Sequence, residues 1–117
     1  MERENILKLL RAQININGHI IGASVGSGMT AKYAAMGGAD LLLALTAGKY
    51  RIMGRSSYAS YLCYGNNNDQ VMEIGQRELL PILADKPLIF GLLANDPKIQ
   101  LYDYLKEIKK NGFSGIV

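Results

Sequence analysis

Short apolar runs that have the character of buried strands alternate with helix-forming segments along almost the whole chain. Strands separated by helices require parallel crossovers, because a tight turn cannot join parallel partners. The runs are apolar on both faces, which is typical of a sheet covered on both sides. The predicted class is therefore α/β, built from parallel (β/α) units. The predicted strands are residues 19–25, 39–45, 87–94 and 113–117, and the predicted helices are residues 4–14, 29–36, 58–62, 70–84 and 98–110.

The last predicted strand, residues 113–117, is apolar and has no helix after it. Such a strand leaves an open parallel edge, which native proteins avoid. We therefore interpret residues 1–117 as a single partial domain, the N-terminal half of a TIM barrel, preceded by a short helix at residues 4–14. An open four-stranded flavodoxin-like sheet is the alternative. The open edges also predict a homo-oligomer.

The composition argues against several classes of protein. The net charge is only +3 and the thirteen Lys and Arg residues are spread along the chain, so a nucleic-acid surface is not indicated. No apolar run approaches the length of a membrane span, and the first residues do not resemble a signal peptide. The single cysteine, Cys63, gives no internal disulfide and no metal pattern and is interpreted as a small packing residue. We expect a cytoplasmic protein without a nucleic-acid or membrane partner.

The most informative segment is the basic stretch at residues 46–57, which directly follows the second predicted strand. It holds the cations Lys49, Arg51 and Arg55 and the hydroxyl groups of Thr46 and Ser56. In α/β proteins ligands bind at the carboxyl ends of the strands, where the connecting loops converge above the sheet. Cations and hydroxyls there suit a phosphate or carboxylate, so we predict a site for a small anionic metabolite. The alternative is a solvated basic loop.

Several tyrosines lie in or near this stretch. Their rings are large and apolar and carry one polar end, which suits the wall of a pocket or a contact between subunits. The tyrosines concerned are Tyr50, Tyr58, Tyr61 and Tyr64.

A glycine-rich segment, Gly26-Ser27-Gly28, follows the first predicted strand and leads into a helix. It resembles part of a dinucleotide fingerprint, but Asp40 stands too early to serve as the acid that such a site needs after its second strand. A Walker loop is also excluded, since no lysine precedes Thr30. Two interpretations stay open. The loop lets a ligand approach its backbone N–H groups, or its glycines serve only the chain conformation.

The pair Asn95-Asp96 ends the third predicted strand, at the same edge of the sheet as the two loops above. Asp96 is a candidate ligand for a divalent cation such as Mg²⁺ and a candidate general base. An Asx cap for the following helix explains the residue as well, and we favour that interpretation. Asp96 alone makes no metal site, and the cofactor is left unknown.

Taken in order, these segments resemble the phosphoenolpyruvate hydrolase-like TIM-barrel family. That family is also described as a TIM-barrel signal-transduction family, placed near the phosphoenolpyruvate/pyruvate barrel superfamily. Residues 48–57 are the most specific part of the resemblance. Two residues depart from the family pattern: Asn66, where the pattern has an acidic residue, and Val25, where it has a small, glycine-like residue before Gly26. The matching segments are residues 20–32 (IIGASVGSGMTAK), 37–41 (GGADL), 48–57 (GKYRIMGRSS), 64–68 (YGNNN), 95–97 (NDP) and 112–115 (GFSG).

The resemblance implies an eight-stranded barrel of which this chain holds the first half, and an enzyme of hydrolase or lyase type acting on a phosphorylated or keto-acid substrate. In that enzyme Asp96 and Lys49 are the catalytic candidates. The anion would be held by Arg51 and Arg55 with Thr46, Ser56 and the backbone of Gly26, Ser27 and Gly28. A non-catalytic metabolite-sensing or signal-transduction module is the alternative, and an inactive fragment is a further one.

Overall fold

The computed structural model describes residues 1–61, 64–83 and 85–117. Cys63 and the ends of two predicted helices, Leu62 and Ala84, lie outside the described residues. The strands are β1 Gly22–Val25, β2 Leu41–Ala44, β3 Leu88–Phe90 and β4 Gly115–Ile116. The α-helices are α1 Arg3–Asn17, α2 Gly28–Met36, α3 Thr46–Ile52, α4 Asn67–Ile74 and α5 Leu101–Lys110. A 3₁₀ helix spans Ser57–Ser60, and a π-helical turn, Gly75–Leu79, continues α4. No helix within these ranges is long and apolar enough to cross a membrane.

The four strands form one parallel sheet in the order β1-β2-β3-β4, which confirms the predicted α/β class. Ala23 pairs with Leu42, Leu43 with Ile89, and Ile89 with Gly115. Each strand is therefore hydrogen-bonded to its neighbours in sequence. A flavodoxin-like sheet would place β1 between β2 and β3. The observed order is the one that successive units of a barrel have.

Burial alternates along the strands, although the strands are apolar on both faces. On one face the strand residues pack under α2, α4 and α5, and on the other face Leu41, Leu43 and Ile89 are only half-buried. The prediction of cover on both sides is therefore wrong for the part of the chain that the structure describes. A sheet with helices on one face is what a barrel wall requires, because the other face turns toward the barrel interior. The buried cluster includes Val25, Leu42, Ala44, Leu88 and Phe90 from the strands and Ala31, Val71, Ile74 and Ile108 from the helices.

The basic stretch after β2 is helical over Thr46–Ile52 rather than a loop, which corrects our expectation. Its first turn lies against the segment that follows β1. A Cβ atom on Gly26 would overlap the backbone nitrogen of Lys49, and one on Gly48 would lie 2.9 Å from the carbonyl carbon of Val25. Two glycines therefore allow the two backbones to touch, and this contact fixes where α3 begins.

Candidate functional site

A pocket of about 660 Å³ lies beside α3, and we call it the tyrosine pocket. It contains three of the tyrosines that we expected to wall a pocket, and two of the predicted cations. None of the described lining residues is acidic, so the charge that they present to the pocket is positive. The lining residues are Lys49, Tyr50, Met53, Arg55, Ser56, Tyr58, Ala59, Tyr64 and Gln70.

Hydrogen bonds hold one wall of the pocket in place. Tyr50 is buried, and its hydroxyl accepts a hydrogen bond of 3.1 Å from Nε2 of Gln70 on α4. The rings of Tyr50 and Tyr64 lie 6.2 Å apart at a tilt of 58° and so form one aromatic corner. The backbone N–H of Arg55 donates to the carbonyl oxygen of Tyr50 at 2.8 Å, which turns the chain back after α3. The Oγ atom of Ser56 caps the 3₁₀ helix by accepting from the N–H of Tyr58 at 3.2 Å.

The two pocket cations belong to none of the ion pairs found among the described residues. Those pairs are Arg77–Glu73, Lys106–Asp103 and Lys109–Glu2. Lys49 is half-buried and Arg55 is exposed at the mouth of the pocket. Both cations therefore remain available to an anion within reach of the pocket.

The remaining members of the basic stretch lie elsewhere. Arg51 is exposed and does not line the pocket, although Lys49, two residues earlier, does. Residues two apart on an α-helix point about 200° from each other, so the helical conformation of α3 separates the two cations. Thr46 is buried in the first turn of α3 and is also absent from the lining. Of the basic stretch, the structure thus brings together Lys49, Arg55 and Ser56.

The glycine-rich segment makes its polar contacts within the chain itself. Ser27 forms a capping box with Thr30, in which Oγ of Ser27 accepts from the N–H of Thr30 at 3.3 Å and Oγ1 of Thr30 accepts from the N–H of Ser27 at 3.2 Å. The N–H of Gly28 donates to Oε2 of Glu78 at 2.8 Å. The start of α2 therefore already holds a carboxylate, which is the group that a helix N-terminus attracts. Gly26, Ser27 and Gly28 are all absent from the lining of the tyrosine pocket.

Asp96 is buried in a network of amide groups at the end of β3. Its Oδ2 atom accepts from Nδ2 of Asn66 at 2.7 Å and from Nδ2 of Asn68 at 3.0 Å, and its Oδ1 atom accepts from the N–H of Lys98 at 2.9 Å. The amide of Asn66, followed by the backbone N–H of Lys98, lowers the pKa of Asp96 below its ordinary value. Asp96 caps a turn, since α5 begins only at Leu101. Asp96 does not line the tyrosine pocket, which holds Lys49 and Arg55.

The hydrogen bonds of the asparagines around Asp96 are a feature of this region that the sequence interpretation missed. Asn68 is almost fully buried, and its side chain accepts from the N–H of Leu93 at 2.8 Å and donates to the carbonyl oxygen of Leu93 at 3.0 Å. It therefore ties α4 to the end of β3. Asn67 donates to the carbonyl oxygen of Ser60 at 2.7 Å, while its buried Oδ1 atom has no hydrogen-bond partner among the described residues. Three consecutive asparagines at a helix start were the available signal.

The residues that the structure describes contain no group of three or more His, Cys, Asp or Glu side chains that could hold a metal ion. The donors around Asp96 are amide and backbone N–H groups, which compete with a cation for the carboxylate oxygens. For the suggested Mg²⁺ site, the described contacts of the Asp96 side chain include no second carboxylate.

Comparison with known proteins gives one family and a few long relatives. A family model described as "Phosphoenolpyruvate hydrolase-like" matches residues 5–117. The "Putative transcriptional regulatory protein y4pA" of Sinorhizobium fredii is 40% identical over 98% of this chain and 19% of its own length. The "ToMV resistance protein Tm-1(GCR237)" of Solanum lycopersicum is 35% identical over 98% of this chain and 15% of its own length. The chain thus spans a fifth or less of the length of these curated relatives.

Proposed function

The chain belongs to the phosphoenolpyruvate hydrolase-like family, and we propose that it binds a small anionic metabolite in the tyrosine pocket. The observation that carries the proposal is the presence of Lys49 and Arg55 in one pocket whose lining has no acidic residue. An arginine presents a planar fork of donors to a phosphate or carboxylate, and a lysine adds a compact point charge. Ser56 supplies a hydroxyl group beside them.

Binding without turnover is the function that the geometry supports best. The carboxylate that we considered as a base, Asp96, accepts three hydrogen bonds and has a lowered pKa, so it takes up a proton poorly at neutral pH. It is also absent from the lining of the pocket. The printed name of the relative from Sinorhizobium fredii, a transcriptional regulatory protein, fits a sensing role. We therefore favour a metabolite-sensing or signal-transduction module.

A hydrolase or lyase is the second candidate, because the family description itself names a hydrolase. In that case Lys49 is the residue of the pocket that would act on a phosphorylated or keto-acid substrate. Asp96 would then have to leave its amide network to act as a base.

We further propose that residues 1–117 are the first half of a barrel-type domain. The sequential strand order and the helix cover on one face of the sheet support this arrangement. In such a barrel α3 and the tyrosine pocket lie beyond the carboxyl end of β2, at the end where barrel proteins bind their ligands.

Isothermal titration calorimetry with inorganic phosphate and with phosphoenolpyruvate tests the proposed binding. We expect Arg55→Gln and Lys49→Gln each to weaken binding about 10- to 100-fold, because a hydrogen bond to a charged group contributes roughly 1.5–3 kcal/mol. Lys110→Gln removes the same charge from the exposed last turn of α5 and should leave the affinity within about twofold. Equal losses in all three variants, or no binding to the unaltered protein, would refute the proposal.

The same samples separate the two candidate functions. Phosphate and pyruvate release from phosphoenolpyruvate is measured with the unaltered protein, first alone and then with added Mg²⁺. Turnover that Lys49→Gln abolishes would favour the enzyme, and binding without release would favour the sensing module.

A further inference from the structure

We infer that the ligand of the tyrosine pocket carries its anionic group on a flat aromatic or conjugated ring, and that it is larger than phosphoenolpyruvate. This inference rests on the proposed function, since it concerns the same pocket and the same cations. It adds the chemical class of the ligand body, which the cations alone do not determine.

The size of the pocket is the first argument. Its volume of about 660 Å³ lies in the middle of the range of roughly 300–1,000 Å³ that suits ligands of drug or cofactor size. A three-carbon acid held by Arg55 would leave most of that space to water. A ligand that uses the whole pocket therefore needs a body beyond its anionic group.

The chemistry of the wall is the second argument. Away from the cations the lining consists of three tyrosine rings with Met53 and Ala59. Aromatic faces and edges attract other flat rings, and the thioether of a methionine adapts to their outline. The rings of Tyr50 and Tyr64 lie 6.2 Å apart and form one aromatic corner of this wall.

The exposure of two of these rings is the third argument. Tyr58 and Tyr64 are each 73% exposed, although both line the pocket. Rings that stand beside a preformed pocket and remain mostly in water have apolar surface left to bury. A flat ligand body would cover that surface while its anionic end reaches the cations.

The charge at the pocket excludes the other ligand that tyrosine clusters commonly bind. Tyrosine cages attract quaternary ammonium groups through the faces of their rings. In this pocket Lys49 and Arg55 repel a cation, and no acidic lining residue offsets them. The anionic ring is therefore favoured over a methylated amine.

Two further polar groups line the pocket, the hydroxyl of Tyr50 and the amide of Gln70, and both suit polar substituents on a ring. Among the described residues the hydroxyl of Tyr50 accepts from Gln70 and donates to none, which leaves its hydrogen for a ligand in the pocket that Tyr50 lines. The amide oxygen of Gln70 adds an acceptor on the same wall. A ring with a carbonyl or hydroxyl substituent would pair with these groups.

Calorimetric titration of the protein with three probes tests the inference: phenyl phosphate, inorganic phosphate and phosphoenolpyruvate. We expect phenyl phosphate to bind at least about tenfold more tightly than either of the others, since ring contact adds to the anion contact. A quaternary ammonium probe, phenyltrimethylammonium, should bind more weakly than phenyl phosphate.

Matched tyrosine variants locate the effect. Tyr64→Leu keeps an apolar side chain but removes the ring, and should reduce the preference for phenyl phosphate over inorganic phosphate to less than about threefold. Tyr58→Leu is a second variant with the same expectation. Tyr102→Leu is the control, because Tyr102 on α5 is 72% exposed and lies outside the pocket. It should leave the preference as it is.

The possible failures are distinguishable. Equal affinities for phenyl phosphate and inorganic phosphate, or a preference for phosphoenolpyruvate, would overturn the ring inference and leave the anion site standing. A preference that Tyr102→Leu reduces as much as Tyr64→Leu would overturn it as well. If none of the three anions binds, the proposed function itself fails.

Discussion

Replacing Asn68 by alanine should destabilise the fold far more than the same replacement at Asn67, its neighbour in the first turn of α4. The two residues are identical and both side chains are buried, so neither residue type nor burial distinguishes them. Asn68 accepts from the N–H of Leu93 and donates to the carbonyl oxygen of Leu93 and to Asp96. Asn67 makes one hydrogen bond and buries an unpaired oxygen.

The expected magnitudes follow from the groups that each replacement leaves without a partner. In Asn68→Ala the N–H of Leu93 loses the hydrogen bond that Asn68 accepts, whereas the carbonyl oxygen of Leu93 still accepts from the N–H of Asp96. A buried backbone N–H without a hydrogen-bond partner lowers the free energy of unfolding by about 1–3 kcal/mol, and the lost contacts of a buried side chain lower it by about 1 kcal/mol more. The total is about 2–4 kcal/mol. In Asn67→Ala the lost bond to Ser60 is offset by removal of the unpaired oxygen. The free energy of unfolding should then change by less than about 1 kcal/mol.

Urea unfolding followed by far-UV circular dichroism and by tyrosine fluorescence measures both changes; the chain has seven tyrosines and no tryptophan. With a total stability of roughly 5–15 kcal/mol, a loss of 2–4 kcal/mol shifts the urea midpoint clearly. Equal losses for the two variants, within about 0.5 kcal/mol, would show that the buried amide network does not hold α4 to β3. A larger loss for Asn67→Ala would refute the reasoning outright.

Three further outcomes are expected. Gly26→Ala places a methyl group against the backbone of Lys49 and should lower both the free energy of unfolding, by about 1–3 kcal/mol, and the affinity for phosphate. Gly22→Ala is the control, because its methyl group would meet side-chain atoms of Leu41 and Leu43 at 3.3 Å or more and no backbone atom among its nearest neighbours; an equal effect there would contradict the explanation. Because the folded state lowers the pKa of Asp96, the stabilisation from this group is present above the ordinary carboxyl range and is lost as the pH falls through the lowered pKa. The free energy of unfolding of Asp96→Asn should therefore depend less steeply on pH below about 5 than that of the unaltered protein. An unchanged pH profile would argue against the network. The protein should self-associate through the sheet face that carries the half-buried Leu41, Leu43 and Ile89, and Leu43→Lys should weaken that association. Sedimentation velocity that shows the unaltered protein as a monomer at micromolar concentration would contradict this prediction.

The order of strands and helices could be predicted from the sequence, because apolar runs and glycine breaks are local signals. Element bounds were less accurate, and β1 is shorter than predicted at its amino end. The helix α3 was missed for a physical reason. It has seven residues and no side-chain cap, and contains Gly48, so its local signals are weak. The contact between Gly26 and α3 is tertiary and has no sequence pattern that reveals it.

The candidate site could be predicted only in part. The position of the basic stretch after a strand indicates the cations Lys49 and Arg55, which line the pocket. A loop gives no reason to separate Arg51 from them, whereas the helix α3 points Arg51 away from Lys49. The pocket residue Gln70 lies 20 residues from Tyr50, and the two asparagines that bind Asp96 lie 28 and 30 residues from it, so these hydrogen bonds appear only in the fold. The expected Asx cap of the following helix is not observed, because α5 begins at Leu101; Asp96 instead accepts from the N–H of Lys98 in the turn before it.

The sequential order of the sheet has a consequence for synthesis of the chain. Every strand after β1 pairs with the strand that precedes it in sequence, so its partner has already been made when it leaves the ribosome. The sheet can therefore grow in one direction, at the edge formed by the newest strand, while earlier pairs stay as they are. A further β/α unit placed next to β4 would join that edge without moving any strand already paired. Gain or loss of whole units at this edge is accordingly the change of length that the architecture tolerates most readily.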